Sequence, residues 1–240
     1  YRDALIETAT VTKVCSHSRG SVVQQLRFML SIGNSKIEQT IRLHPHSKRL
    51  DFMTYVDWME SHKMLRVHFP VNVRSEQASF DIQYGHVKRN THRNTSWDKA
   101  KFEVVGHKYA DLSDHDNGIA LLNDCKYGYM VHDNILDLNL LRSTSNPDPD
   151  ADRGTHTFTY SLLPHQNDLI HSSVLPESSC LNQEPLLFEG MVSGIDIPIK
   201  LLGQGLELSV LKKAEKEDTW ILRIVETLGR TSSGSVHFKG

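Results

Sequence analysis

An all-β fold, a large antiparallel β-sandwich, is what this sequence predicts. Three observations carry the prediction. Short runs alternate apolar and polar side chains, turn-forming residues separate the runs, and convincing amphipathic helices are scarce. A period of two places every second side chain on one face of a strand, so one face enters a core while the other meets water. Gly, Asn, Asp, Ser and Pro between the runs supply the turns that join neighbouring strands. Many short strands of this kind are the pattern of a sandwich.

The runs follow in order as SVVQQLRFML from Ser21, IEQTIRL from Ile37, LDFMTYVDW from Leu50, MLRVHFPV from Met64 and KFEVVGHKY from Lys101. NGIALLN from Asn117, ILDLNLLRS from Ile135, THTFTYSLL from Thr155, LELSVLK from Leu206 and TWILRIVETL from Thr219 complete them. In the run from Thr155, residues His156, Phe158 and Tyr160 share one face. The charged stretch Val210–Trp220 admits a helical turn or a hairpin turn, and the hairpin is predicted. Ser143–Thr155 reads as a loop, because Pro147 and Pro149 lack ladder donors and bias their predecessors away from helix. Residues 167–185 read as a second loop of weak periodicity. The closing SGSVHFKG reads as a strand, and no internal repeat stands out.

The chain has 240 residues, 38% of them hydrophobic, enough to bury the core of one domain, and residues 1–240 are expected to form a single β-sandwich domain. Its net charge of −2 gives no basic field for nucleic acid or an anionic membrane surface. No apolar run approaches the roughly 18 residues of a membrane span. Cys15, Cys125 and Cys180 are odd in number and widely spaced, which points to a reducing compartment and a cytoplasmic protein. No secretory leader is visible at Tyr1.

Several constellations invite chemistry. Asp148, Asp150 and Asp152 alternate before Gly154, like a calcium loop. An EF-hand needs Gly at its sixth position and a carboxylate at its twelfth, where this chain has Arg153 and Thr159. A solvated or Arg-paired turn is expected instead. Among fourteen histidines, His44 and His46 fall on one predicted strand face, yet no HxxxH or HExxH spacing occurs, so no metal site is predicted within the chain. Asn94-Thr95-Ser96 is a formal glycosylation sequon, for which a turn bonded by Asn94 and Ser96 is the simpler reading. No GxSxG, phosphate loop or dinucleotide fingerprint is present.

The densest polar stretch runs from Arg89 to Tyr129, with His92, His107, His115, five Asp and Trp97. Its blocks RNTHRNTSWDKAKFEV, HKYADLS and GIALLNDCKYGY, followed by LLRSTSNPDPDADRGTHTFTYSLLPH, closely resemble the C-terminal β region of family 38 glycoside hydrolases. These are zinc-dependent retaining α-mannosidases, and the likeness is to the cytosolic, vacuolar and bacterial branch. The motifs are dense over Ser79–His165, while residues 1–77 and 167–240 match only in general β character. That branch usually has Pro where this chain has Asn90, which predicts a small change in loop geometry.

The resemblance implies a galactose-mutarotase-like supersandwich, cut from a longer chain. It implies that the family's N-terminal catalytic barrel, with the nucleophile and the zinc ligands, lies outside these residues. It implies mannose-containing oligosaccharides as substrate and the barrel of the same chain as partner, with loops of the β domain closing one wall of the active site. On that basis the candidate substrate-binding residues are His107, Lys108, Asp111, Asp116, Asn117, Asn123, Asp124, Lys126, Tyr127 and Arg142. Lys, Asp, Asn and Tyr can each meet sugar hydroxyls, and Tyr can also lie on a sugar's C–H face. No catalytic residue is expected within the chain. The detached domain is expected to expose a mixed apolar and polar patch beside these loops, through which a homodimer could form.

Each stretch also has a purely local reading. Trp97 would be buried and Asp98 would cap backbone amides. Gly85, Gly106, Gly118 and Gly128 would serve bends, since Gly takes positive φ freely. Two other functions stay open: a free-standing carbohydrate-binding module, and a mutarotase-like epimerase with a His acid and one of Glu76, Glu103, Glu184 or Glu189 as base.

Overall fold

A computed structural model of the chain describes residues 4–183, 185–191 and 199–238. They divide into two compact units, residues 1–81 with 88–184, and residues 82–87 with 185–240.

The first unit holds a nine-stranded sheet, apart from residues 82–87 at the β6–β7 turn, and a four-stranded sheet. The large sheet comprises β1 (Thr10–Arg19), β2 (Gln24–Ile32), β3 (Ser35–Leu43), β4 (Leu50–Trp58), β6 (Gln77–Ile82), β7 (Gly85–Asn90), β9 (Tyr109–Ser113), β10 (Asn117–Asn123) and β13 (Gly154–Gln166). Its strands lie in the order β1-β2-β3-β4-β13-β10-β9-β6-β7. The small sheet runs β5 (Met64–Pro70), β12 (Ile135–Arg142), β11 (Gly128–His132) and β8 (Val104–Val105). The paired strands run antiparallel.

The two sheets face each other through an aromatic layer. Phe52 of β4 stacks on Tyr160 of β13 at 5.0 Å, and Phe69 of β5 lies 5.8 Å from Phe52. Phe80 of β6 meets Tyr129 of β11 edge-on at 6.2 Å, and Trp58 Nε1 donates to Ser143 Oγ across the layer at 2.7 Å. Such pairs combine large apolar burial with a satisfied polar tip. The sandwich predicted from alternation is therefore the architecture of this unit.

The opposite face of the large sheet is also covered. Residues 167–185, expected to be loop, contain a 3-10 turn, Leu169–His171, and a helix. The short α1 (Ser96–Ala100) lies earlier, so this helix is α2 (Val174–Asn182). Sequence missed α2 because it buries only Val174 and Ser178, too few to make a helical stripe. Val174 and Leu169 pack on Tyr109, Ala120, Leu122 and Leu163. β10 is thus buried on both faces, which explains its nearly unbroken apolar run. A charged clamp holds α2 down: Arg49 bonds Asp51 at 2.6 Å and Glu177 at 3.2 Å, and Asp51 also accepts from Ser161 Oγ at 2.7 Å.

The second unit holds two two-stranded sheets, β14 (Ile199–Leu202) with β17 (Ser235–Phe238), and β15 (Leu206–Lys213) with β16 (Trp220–Glu226). The charged stretch at 210–220 is a hairpin turn, as predicted. The end of SGSVHFKG, Lys239 and Gly240, lies outside the described residues.

Two other readings need correction. His44 and His46 do not share a strand face. β3 ends at Leu43, and His44 O accepts from Ser47 N in a turn. Nor do Gly106, Gly118 and Gly128 serve positive φ. They serve space: a Cβ at Gly118 would lie 2.2 Å from His165 Cε1, and one at Gly106 would lie 2.9 Å from the Tyr129 ring.

Candidate functional site

The ten candidate residues fall into three places. One group gathers at the end of β10, where the chain turns from Asn123 into β11. Asn123 is buried and is its keystone. Its Nδ2 donates to His107 O at 2.7 Å and to the Tyr129 hydroxyl, and its Oδ1 accepts from Lys126 N. Its backbone N–H donates to Lys108 O at 3.0 Å, and its carbonyl accepts from Asn182 Nδ2 of α2 at 3.0 Å. An amide can meet donors and acceptors at once, so one side chain locks three segments. Burial holds the Tyr129 hydroxyl protonated well above the usual tyrosine range.

That anchor presents the turn 124–127. Asp124 Oδ2 accepts from Thr159 N at 2.8 Å, and Asp124 N donates to Thr159 O at 3.1 Å. Its Oδ1 is buried without a partner. Lys126 Nζ sits 4.7 Å from the centre of the Phe158 ring, and Tyr127 is 53% exposed, edge-on to His107 at 5.6 Å. Lys108 N donates to Asp81 Oδ2 at 2.9 Å. Desolvation first, and then Asp124, push the Cys125 thiol up to about 12, so it is no thiolate nucleophile at neutral pH. Arg142, at the end of β12, lies past the residue opposite Gly128 and so at this same end of the small sheet. Its N–H donates to Asp152 Oδ2 at 2.6 Å, and its side chain is exposed.

Asp116 and Asn117 lie at the other end of β10. Six residue steps from Asn117 to Asn123 span roughly 20 Å at about 3.3 Å each. Both are exposed, in a turn built by Asp114, whose Oδ1 accepts from both their backbone N–H groups at 2.8 Å. Asp111 stands apart again, on the α2 face. It is 1% exposed, and its Oδ1 lies 2.7 Å from His165 Nε2 while its Oδ2 accepts from Ser113 Oγ at 2.7 Å. Desolvation lowers the His165 pKa, but the bond to Asp111 outweighs it and the net direction is up. Gly118 leaves the room that the imidazole fills. This Asp–His–Ser group lies within the sheet, with the His165 side chain 2% exposed, so it has the form of a structural pair.

Around α1, Trp97 is 80% exposed, against the expected burial. Asp98 caps a backbone amide as expected, accepting from the Thr95 N–H. Thr95 caps the helix, accepting from Asp98 N at 3.0 Å and donating to Asp98 Oδ2 at 2.6 Å, so Thr95 and Asp98 bond this turn. The Asn90 that replaces Pro donates to Asp98 Oδ1 at 3.1 Å. These bonds, with His92 nearby, hold the Asp98 carboxyl below the usual range. Sequence reasoning passed over Arg89, Asp114 and His165. The first is visible only as part of a basic run, and the last two depend on the turn and on a partner 54 residues away.

Among the described residues no three His, Cys, Asp or Glu side chains converge to hold a metal ion. The Asp148–Asp152 loop is an Arg-paired turn, with Arg153 3.0 Å from Asp150. The residues present do not fit zinc. Among the epimerase bases considered, Glu103 is ion-paired to Arg66 at 2.6 Å, and Glu184 lies outside the described residues. No described helix is long and apolar enough to cross a membrane.

Comparison with known proteins bears on this geometry. The chain is 45% identical over 206 residues to alpha-mannosidase G of Dictyostelium discoideum, covering 83% of this chain and 19% of that protein. It is 49% identical over 156 residues to human alpha-mannosidase 2C1, covering 65% of this chain and 15% of that protein. It is 37% identical over 209 residues to the alpha-mannosidase of Saccharomyces cerevisiae, covering 79% of this chain and 19% of that protein. The chain thus spans at most about a fifth of these relatives. In structure it is similar to a family 38 glycosyl hydrolase from Enterococcus faecalis, with a TM-score of 0.76 at 14% identity, over 96% of this chain and 32% of that one, a likeness of fold. The family described as glycosyl hydrolases family 38 C-terminal domain matches residues 1–150. The likeness therefore reaches well before Ser79, where the motif blocks begin. On this match the chain belongs to the C-terminal domain family of the family 38 glycosyl hydrolases.

Proposed function

We propose that residues 1–240 form the β wall of a retaining α-mannosidase that removes terminal α-mannose from oligosaccharides in the cytoplasm. The wall packs on an N-terminal catalytic barrel of the same polypeptide and is inert without it. The nucleophile, the general acid and the zinc expected from the family belong to that barrel, and no step of the reaction is assigned to this chain. Its own contribution is placement of polar groups against sugar hydroxyls, where fixed geometry gives binding its selectivity.

The observation that carries this reading is the turn 124–127 on its buried Asn123 anchor. Lys126 and Tyr127 stand on a turn held by Asn123 and Asp124, whose side chains bond His107 O, Lys126 N and Thr159 N. The three free cysteines suit a reducing compartment. In the second unit Leu186, Leu187, Phe188 and Met191 are 81%, 92%, 85% and 103% exposed, an apolar stretch that supports self-association of the chain on its own. Sedimentation at rising concentration checks that point.

A second reading, a sugar-binding module that works alone, is favoured by the exposed Trp97 and Tyr127. Two assays separate the readings. The 240-residue chain is expected to leave an aryl α-mannoside unhydrolysed and to give no calorimetric signal with mannose. Hydrolysis would overturn the proposal, and binding without hydrolysis would favour the module.

A further inference from the structure

Arg89 Nη1 is buried and has no hydrogen-bond partner. The guanidinium carbon lies 4.7 Å from the centre of the Phe80 ring, so the planar group rests on an aromatic face. Arg89 also lines a cleft together with Asn90, Asp98, Lys101, Val104 and Met130. A buried donor left unmet costs free energy, more when charged, and folded proteins seldom leave one so. Desolvation pushes the Arg89 pKa down, the sign of a cation lacking its counter-charge.

Local charge gives a second, independent indication. Between Lys88 and Lys101 the chain carries Lys88, Arg89, Arg93, Lys99 and Lys101 against Asp98 alone, within a protein of net charge −2. Asp98 is not the missing partner. Its oxygens are taken by Thr95 Oγ1 at 2.6 Å and Asn90 Nδ2 at 3.1 Å, with His92 Nδ1 at 3.6 Å. The other buried side-chain atoms without partners, on Arg42, Asp124 and Asn139, do not line this cleft.

We propose that this cleft is a carboxylate-binding site, in which Arg89 Nη1 and the Lys101 ammonium hold one carboxyl group. A carboxylate is planar and offers two oxygens, one for the fixed guanidinium N–H and one for the mobile ammonium. Asn90, tied to Asp98, forms the rim. The carboxyl group comes either from a small acid in solution or from an Asp or Glu elsewhere in the parent polypeptide. The site goes beyond the mannosidase reading and stands or falls without it.

The test is a titration of the isotope-labelled 240-residue chain with sodium acetate, with sodium chloride at equal ionic strength as control. The Arg89 side-chain signal and the amides of Asn90 and Lys101 are expected to shift saturably, with Kd on the order of millimolar. Lys101→Met should weaken acetate binding about tenfold, and Arg89→Met should abolish the amide shifts while circular dichroism stays unchanged. Shifts that are linear in salt, equal in chloride, or kept in Arg89→Met would overturn the proposal. Phenylglyoxal labelling of Arg89 in the parent enzyme separates the two sources. Protection without acetate identifies an internal Asp or Glu, and protection only with acetate identifies a free acid. Equal labelling in both conditions, in chain and parent alike, would again overturn it.

Discussion

Two polar clusters of the first unit use similar residues and differ in one respect. Around Asp111 the pairing is closed. Both carboxyl oxygens, the His165 ring and the Ser113 hydroxyl meet partners inside the sheet. Around Arg89 the pairing is open, with Nη1 buried without a partner in a residue that lines a cleft. Burial alone therefore does not separate structure from function. What separates them is whether the hydrogen-bond account closes within the chain.

The comparison is broken most readily at Asp111. Asp111→Ala strands a buried imidazole and should cost about 3–5 kcal/mol, read from the urea unfolding midpoint. Arg89→Met, by contrast, should leave stability within about 1 kcal/mol, because the lost ring contact is offset by removal of an unmet donor. Equal losses in the two variants would erase the distinction. Next in size is Asn123→Ala, which removes bonds to His107, Lys126 and Tyr129 together and should cost about 2–3 kcal/mol. If it costs under about 0.5 kcal/mol, the turn 124–127 has no rigid anchor.

A pH series sharpens the Asp111 side of the comparison. The folded-state pKa of His165 is raised, so its contribution is complete below the unfolded value of about 6.5 and is lost as pH climbs through the raised folded value. Groups facing it are Asp111 from β9 and the backbone of Gln166 and Asn167. Urea midpoints should therefore fall as pH rises above about 6.5, and the fall should vanish in His165→Gln. A fall of equal size in that variant assigns it to other groups.

How far sequence reached follows the same division. Strands with alternation or an unbroken apolar run were legible: β4, β10, β12 and β13 lie where the runs from Leu50, Asn117, Ile135 and Thr155 place them. β1 was not, because an edge strand wet on both faces carries polar residues throughout, with Val11 52% and Val14 59% exposed. β6 and β7 are six residues each, too short for a period to declare itself. Polar residue types in the site were legible, but their sorting was not. Asp111 and Asp116 look alike in sequence, yet one meets His165 within the core and the other faces solvent. The deciding partners come from strands far along the chain, which no local pattern records.

The smallest stability effects carry the sharpest functional question. Asp116 and Tyr127 are both exposed, and each substitution to Ala should move stability by no more than about 0.5 kcal/mol. The residues sit beyond opposite ends of β10, roughly 20 Å apart by strand rise, so a single sugar ring cannot touch both. If the turn 124–127 faces the sugar, Tyr127→Ala in the parent enzyme should lower kcat/KM for an aryl α-mannoside about tenfold, the worth of one hydrogen bond or ring contact. Asp116→Ala should then leave it unchanged. The reverse outcome would move the sugar-facing wall to the Asp114–Asn117 turn. Equal losses, on a substrate with a single sugar ring, would show that at least one of the two residues acts without touching the sugar.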